Sequence, residues 1–202
     1  MDDHIIHMAK ALNREKILEE GLKVVHERGF AAASIRDIIA AAGVPLGSFS
    51  NHFASKEAFG LEIIERYFAS SCGIIARTLR NEAMLPLARL KAYIAAVREY
   101  QSCVSVNGCL LGNLAAETGG GSDAIRQRLK RIFADLREAV AQCLEAAVET
   151  GEVAAGLDCQ ELAGFIISSL QGAILLAKAE RSLAPIDQLD HILFSVILRP
   201  TH

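Results

Sequence analysis

The chain has 202 residues and a formal net charge of −3, with 51% hydrophobic and 22% charged residues. That balance excludes intrinsic disorder and a histone-like polycation, and it leaves room for a local basic face that binds DNA. Aromatics are 5% with no Trp, the bulk is Ala, Leu and Ile, and the chain reads as all-α with about nine helices.

The start at Met1 has no basic region followed by an apolar stretch, so no secretory leader is expected and the chain reads as cytoplasmic. His4 and His7 fall in a start expected to be disordered. Asn13 can cap a first helix whose apolar stripe is Ile17, Leu18, Leu22 and Val25. Gly29 supplies a left-handed ending, and Phe30 can close its hydrophobic contact. Ser34 and Asp37 form a capping box for a short helix through Ile38, Ile39 and Ala42. Gly43-Val44-Pro45 ends that helix and starts another at once, since Pro fits a first turn. The new helix has room for about two turns, because Ser55 caps the next one with Glu57 in its first turn.

From Lys56 the helices lengthen. Phe59, Ile63, Ile64, Tyr67 and Phe68 stripe the first, continued by Ile74, Ile75 and Leu79. Pro86 opens a second, striped by Leu90, Ile94 and Val97. A break at residues 105–108 precedes a short apolar helix from Cys109 to about Glu117. Three glycines at 119–121 make a turn, and Ser122 caps a long helix carrying Ile125, Leu129, Ile132, Leu136, Val140 and Leu144. The last two helices are expected from Asp158 to Glu180 and from Pro185 to Leu198. The longest apolar run, 163–177, is interrupted by Ser168, Ser169 and Gln171 and falls short of the roughly 18 residues a span needs, so no membrane segment is expected. Five Cys without a CxxC pair read as reduced thiols. No HExxH, P-loop or dinucleotide fingerprint is present, so no metal site, cofactor or catalytic constellation is expected.

Residues 34–53 read as helix, glycine turn, short helix, with a third helix behind them. On the second helix Phe49 and Phe53 share the inward face; Ser48, Asn51 and His52 then point outward, with Ser50 on the flank. Short polar side chains on such a helix can meet base edges, and Arg36 and Lys56 suit phosphates or a guanine. An ordinary helical hairpin with a polar outside has the same spacing. The run from Ile38 to Phe49, IIAAAGVPLGSF, followed by HFASKEA over residues 52–58, resembles the DNA-binding domain of the tetracycline-repressor (TetR) family over about residues 13–60.

The resemblance implies a three-helix helix-turn-helix head over residues 1–55 and a helical bundle over 56–202 that binds ligand and dimerises. It implies a homodimer bound to an inverted-repeat operator in double-stranded DNA and released by a small-molecule inducer. The family's base- and phosphate-contacting positions carry over to Ser34, Arg36, Leu46, Gly47, Ser48, Ser50, Asn51, His52 and Lys56. Two departures stand out: position 50 usually holds Tyr and here is Ser, and position 46 is often Lys and here is Leu.

The last two helices suit a dimer. Residues 163–167 and 170–177 are apolar almost all round, and the small residues Gly164, Gly172, Ala173 and Ala177 permit close approach. In the family the final two helices pair with their mates as a four-helix bundle; Leu189, Ile192, Leu193, Val196 and Ile197 would supply the other stripe. A helix buried within one chain is the alternative. The basic run Arg126, Arg128, Lys130, Arg131 reads better as the solvated face of a long helix than as a second nucleic-acid patch. Cys109 is expected at a helix N-terminus, where the dipole favours thiolate. The stretch from Asn107 to Glu117 resembles the branch of the family that senses electrophiles, N-ethylmaleimide among them, or small unsaturated acids; Cys103, six residues upstream across the break, is a candidate resolving thiol if the turn folds back. A small apolar residue opening a core helix is the alternative for Cys109. The combined expectation is a TetR-type repressor, not an enzyme; the rival is a small-molecule-binding protein or thiol enzyme using Cys109, which lacks a visible base.

Overall fold

The computed structural model describes residues 2–104, 107–117 and 122–199, the first nine of these and residue 104 by their backbone alone. The expected break at 105–108 and the glycine turn at 119–121 fall partly or wholly outside the described residues. Among the described residues there are nine α-helices and no strand: α1 (Asp2–Arg28), α2 (Ile35–Ala42), α3 (Ser48–His52), α4 (Lys56–Arg77), α5 (Pro86–Val104), α6 (Leu110–Glu117), α7 (Asp123–Glu149), α8 (Cys159–Glu180) and α9 (Ala184–Ile192). The all-α expectation holds. The chain divides into two compact units, Met1–Tyr67 with Asn113–Leu129, and Phe68–Gly112 with Lys130–His202.

The first unit is built on α1, α2 and α3, with the start of α4. Its core is Ile17, Leu18, Val25, Ile38, Ile39, Phe49, Phe53, Phe59 and Ile63, all buried. Phe49, Phe53 and Phe59 form a triangle with ring centroids 5.1–5.4 Å apart, Phe59 edge-on to the other two, which adds to simple burial. Gly21 makes the closest approach. A Cβ there would lie 2.5 Å from the Phe59 ring, so only glycine lets α1 settle on that cluster. Ser34 caps α2 with the full capping box, and the helix ends at Gly43 in the left-handed region.

The start of the chain differs from expectation. α1 is unbroken from Asp2, so Asn13 is an interior residue and not a cap, and the start is helical. The residues ahead of it, Met8-Ala9-Lys10-Ala11-Leu12, are good helix formers, and one Asn costs only a fraction of a kcal/mol. Pro45 likewise opens a turn, closed by Ser48 N–H on the Pro45 carbonyl at 2.8 Å, and α3 begins only at Ser48.

The second unit holds α5, α8, α9 and most of α7. Leu90, Ile94, Ile132, Val140, Leu144, Ala163, Ile166 and Ile186 are its deepest side chains. Asp158 caps α8 by accepting from Glu161 N–H at 2.9 Å. The last helix does not run regularly to Leu198; beyond Ile192 the chain passes into a π-helical turn, Leu193–Ile197, closed by Leu198 N–H on the Leu193 carbonyl at 2.9 Å. Leu193 is fully buried, whereas Ile192, Val196 and Ile197 are exposed. α8, with 22 residues, is by length and composition apolar enough to cross a membrane, a test that a buried core helix also passes. Ser168, Ser169 and Gln171 are too few to offset the surrounding Leu, Ile and Ala.

Candidate nucleic-acid interface

The capping box fixes where α2 starts. Asp37 N–H donates to Ser34 Oγ at 3.1 Å, and Ser34 N–H donates to the Asp37 carboxylate at 3.0 Å. The Ser34 hydroxyl and backbone N–H both donate to the Asp37 carboxylate and, with the Arg28 guanidinium 2.9 Å away, hold it below the usual carboxylate range. The Ser34 hydroxyl is thereby engaged within its own turn. Two residues on, Arg36 is exposed and makes no ion pair among the described residues.

The turn into α3 presents Leu46, 57% exposed, and Gly47, exposed with nothing within 4 Å of the position a Cβ would take. Ser50 and Asn51 are exposed and His52 is half-buried, its ring edge-on to Phe53 at 6.3 Å. Ser50 Oγ donates to the Gly47 carbonyl at 3.1 Å. Ser48 differs from expectation: it is only 8% exposed. The face buried with Phe49 is wider than a single aromatic residue, and the position one step before Phe49 is covered along with it. The outer surface of α3 and of the turn before it is therefore Leu46, Gly47, Ser50 and Asn51, backed by aromatic core.

Lys56 opens α4, and its ammonium is turned onto the α1–α2 connection. Nζ donates to the Ala31 carbonyl at 3.3 Å and sits 4.8 Å from the Phe30 ring centroid. Burial pushes its pKa down, opposed by the negative charge of Glu117. Glu117 was invisible to sequence reasoning; it lies 86–87 residues from the amides it meets, beyond any local pattern.

In the second unit Cys109 directly precedes α6 and is 9% exposed. Nearby Tyr93 is buried, and that burial, with Cys109 beside it, pushes the phenol pKa well up. Cys103, at the end of α5, is exposed and forms no disulfide among the described residues. A groove of about 460 Å³ between α7 and α8 is lined by Lys130, Phe133, Arg137, Gly164, Ile167 and Gln171. Gln171 reaches α6: its Oε1 lies 2.9 Å from where a Cβ on Gly112 would be. Among the described residues no group of three or more His, Cys, Asp or Glu could hold a metal ion.

A short helix with an exposed polar tip, set by a glycine turn against two helices over an aromatic core, defines a helix-turn-helix DNA-binding protein. The family of bacterial regulatory proteins known as tetR matches residues 17–63, and the tetracyclin repressor-like C-terminal domain matches residues 86–193. The chain belongs to the TetR family of bacterial transcriptional regulators. It is 39% identical over 194 residues to the HTH-type transcriptional repressor DhaR of Mycobacterium sp. strain GP1, covering 96% of each chain. Among solved structures it is similar to the regulatory protein TetR from Rhodobacter sphaeroides, at 31% identity and a TM-score of 0.83 over 88% of this chain and 95% of that one. It is also similar to reduced Escherichia coli NemR, at 26% identity and a TM-score of 0.81 over 94% and 98% of the two chains. The family and these relatives are regulators of transcription, not enzymes.

Proposed function

We propose that this TetR-family repressor is cytoplasmic and binds an inverted-repeat operator in double-stranded DNA as a homodimer, without a membrane partner. A small-molecule or electrophile inducer releases it. The observation that carries this reading is the exposed set Arg36, Leu46, Gly47, Ser50 and Asn51, presented on and beside a two-helix motif over buried Phe49 and Phe53. Asn51 suits an adenine edge, Arg36 a guanine or a phosphate, and Leu46 a thymine methyl. Gly47 lets the backbone come close to a phosphate. Ser34, His52 and Lys56 flank this set as positioning or phosphate contacts, and Ser48 supports it from beneath.

The dimer reading rests on an uncovered apolar face. On α8, Phe165, Leu175 and Leu176 are 50%, 64% and 52% exposed; after it, Ile192, Val196 and Ile197 are 41%, 56% and 38% exposed. Large apolar side chains left open in this number suit an interaction site, and a twofold partner covers them at no extra sequence cost. That face also accounts for the apolarity of α8 without a bilayer.

For the inducer, Cys109 at the start of α6 is the proposed electrophile sensor, with Cys103 as its resolving thiol. A reversible ligand in the groove touching Gln171 is the second reading, favoured by the contact of Gln171 with α6. In either case the inducer acts by favouring a state whose two heads no longer match successive major grooves. The test is a mobility-shift titration on DNA selected by the protein from a random pool, repeated with N-ethylmaleimide on the parent and on Cys109→Ser. Release of the parent alone supports the covalent sensor; equal release of both refutes Cys109 as the sensor, since exposed Cys72 and Cys103 then remain as targets. A parent that selects no DNA refutes the proposal.

A further inference from the structure

One carboxylate outside the three helices of the head reaches back to hold it. Glu117 is the last residue of α6. Its Oε1 accepts from Phe30 N–H at 3.2 Å and its Oε2 from Ala31 N–H at 2.7 Å, so a single side chain satisfies two successive amides of the α1–α2 connection. Those amides lie just past the end of α1, and neither donates to a backbone carbonyl among the described residues. The Ala31 carbonyl accepts in turn from Lys56 Nζ, and the Lys56 ammonium covers the Phe30 ring. Gly29, at φ +85°, leaves the room required, because a Cβ there would lie 2.8 Å from Glu117 Oε1. The Phe30 ring is itself seated on α4, where a Cβ on Gly60 would lie 2.7 Å from it.

We propose that Glu117 is a positioning residue for DNA binding: its carboxylate, with Lys56, sets the connection that delivers Ser34 and Arg36 to the operator. The inference rests on the operator-binding reading above. Charge-assisted bonds from a carboxylate to backbone N–H groups are short and directional, so they fix the path of a connection rather than merely covering it. From Ala31 the chain has only three residues before the Ser34 cap, which gives any displacement at the clamp little slack before it reaches Arg36. A role for Lys56 in the clamp also accounts for an ammonium folded onto protein at a position expected to face phosphate.

The experiment is a double-mutant cycle on operator affinity, with the full chain and DNA selected by the parent. In the parent background Glu117→Ala is expected to weaken operator binding about tenfold, the loss of one to two charge-assisted hydrogen bonds. In an Arg36→Ala background the same change is expected to cost threefold or less, because the contact it positions is already gone. Glu117→Gln, which keeps the shape and one acceptor, is expected to give an intermediate loss and serves if Glu117→Ala folds poorly by circular dichroism. Hydrogen exchange at the Phe30 and Ala31 amides is expected to rise in both variants. Operator binding within twofold of the parent, or an equal loss in both backgrounds, overturns the positioning role while leaving the DNA reading intact. A parent that binds no DNA overturns both.

Discussion

Truncating Leu175 to Ala tests the assembly most cleanly. Leu175 is 64% exposed on the stripe of α8 that also carries Phe165, Gly172 and Leu176. Burying a whole Leu side chain contributes about 1.5–3 kcal/mol, so covering the part still open contributes about 1–2 kcal/mol per copy. Twofold symmetry counts the loss twice, about 2–4 kcal/mol, or roughly 30- to 900-fold in the dimer dissociation constant. The isolated chain loses little, within about 0.5 kcal/mol, because the side chain is largely exposed there. Gly172→Arg sharpens the test. Nothing lies within 4 Å of the position its Cβ would take, so the chain accommodates it, while a dimer would bury an uncompensated charge at a cost of several kcal/mol. Sedimentation equilibrium over a concentration series reads both variants, with thermal unfolding as the control on folding. A parent that sediments as a monomer at micromolar concentration, or variants that dimerise like the parent, would refute the interface.

Arg36→Ala and Asn51→Ala should each cost about 1–3 kcal/mol of operator affinity while leaving non-specific binding of Asn51→Ala unchanged; fluorescence anisotropy on specific and scrambled duplexes checks both. Thiol labelling should separate the five cysteines. Exposed Cys72 and Cys103 should react readily, while Cys143, whose pKa burial pushes up to about 11, should remain unlabelled near pH 8. Loss of operator binding should track the Cys109 adduct alone, and mass spectrometry against a binding assay would expose any other order. The Arg128 hydrogen bond holds the Glu65 carboxyl below its usual value of 4.5, so the stabilisation it provides is present above that value and fades as pH falls through the lowered one. With Glu65 53% exposed the pair contributes about 0.5 kcal/mol, and denaturant unfolding of Glu65→Gln should differ from the parent at neutral pH but converge with it in acid.

Local chemistry was legible in the sequence wherever it was written in neighbouring residues. The capping box of Ser34 and Asp37, the Ser55 and Ser122 caps, the proline opening α5 and the start of α6 beside Cys109 each depend on partners within a few positions. Asn13 misled because a capping residue signals a helix start only when the preceding residues resist helix, and these do not. Ser48 misled because the periodicity that places Phe49 inward does not say how wide the buried face is. The π-helical turn at Leu193–Ile197 reflects packing of Leu193 and Leu198, both buried, which no local propensity encodes. The exposed set Arg36, Leu46 and Asn51, proposed as the contact surface, follows a pattern visible in the sequence. The clamp at Glu117 was not, since it joins residues far apart in the chain through backbone amides that carry no sequence signature.

Salt-dependent binding to the protein's own selected duplex tests the central claim most directly. Fluorescence anisotropy of the parent chain should give a dissociation constant of about 10⁻⁸–10⁻¹¹ M at physiological salt, at least about 10³-fold tighter than on scrambled DNA. Its logarithm should change steeply and linearly with the logarithm of salt concentration, as counterions leave several neutralised phosphates. Binding that is insensitive to salt, or that fails to distinguish the selected duplex from the scrambled one, would contradict the account.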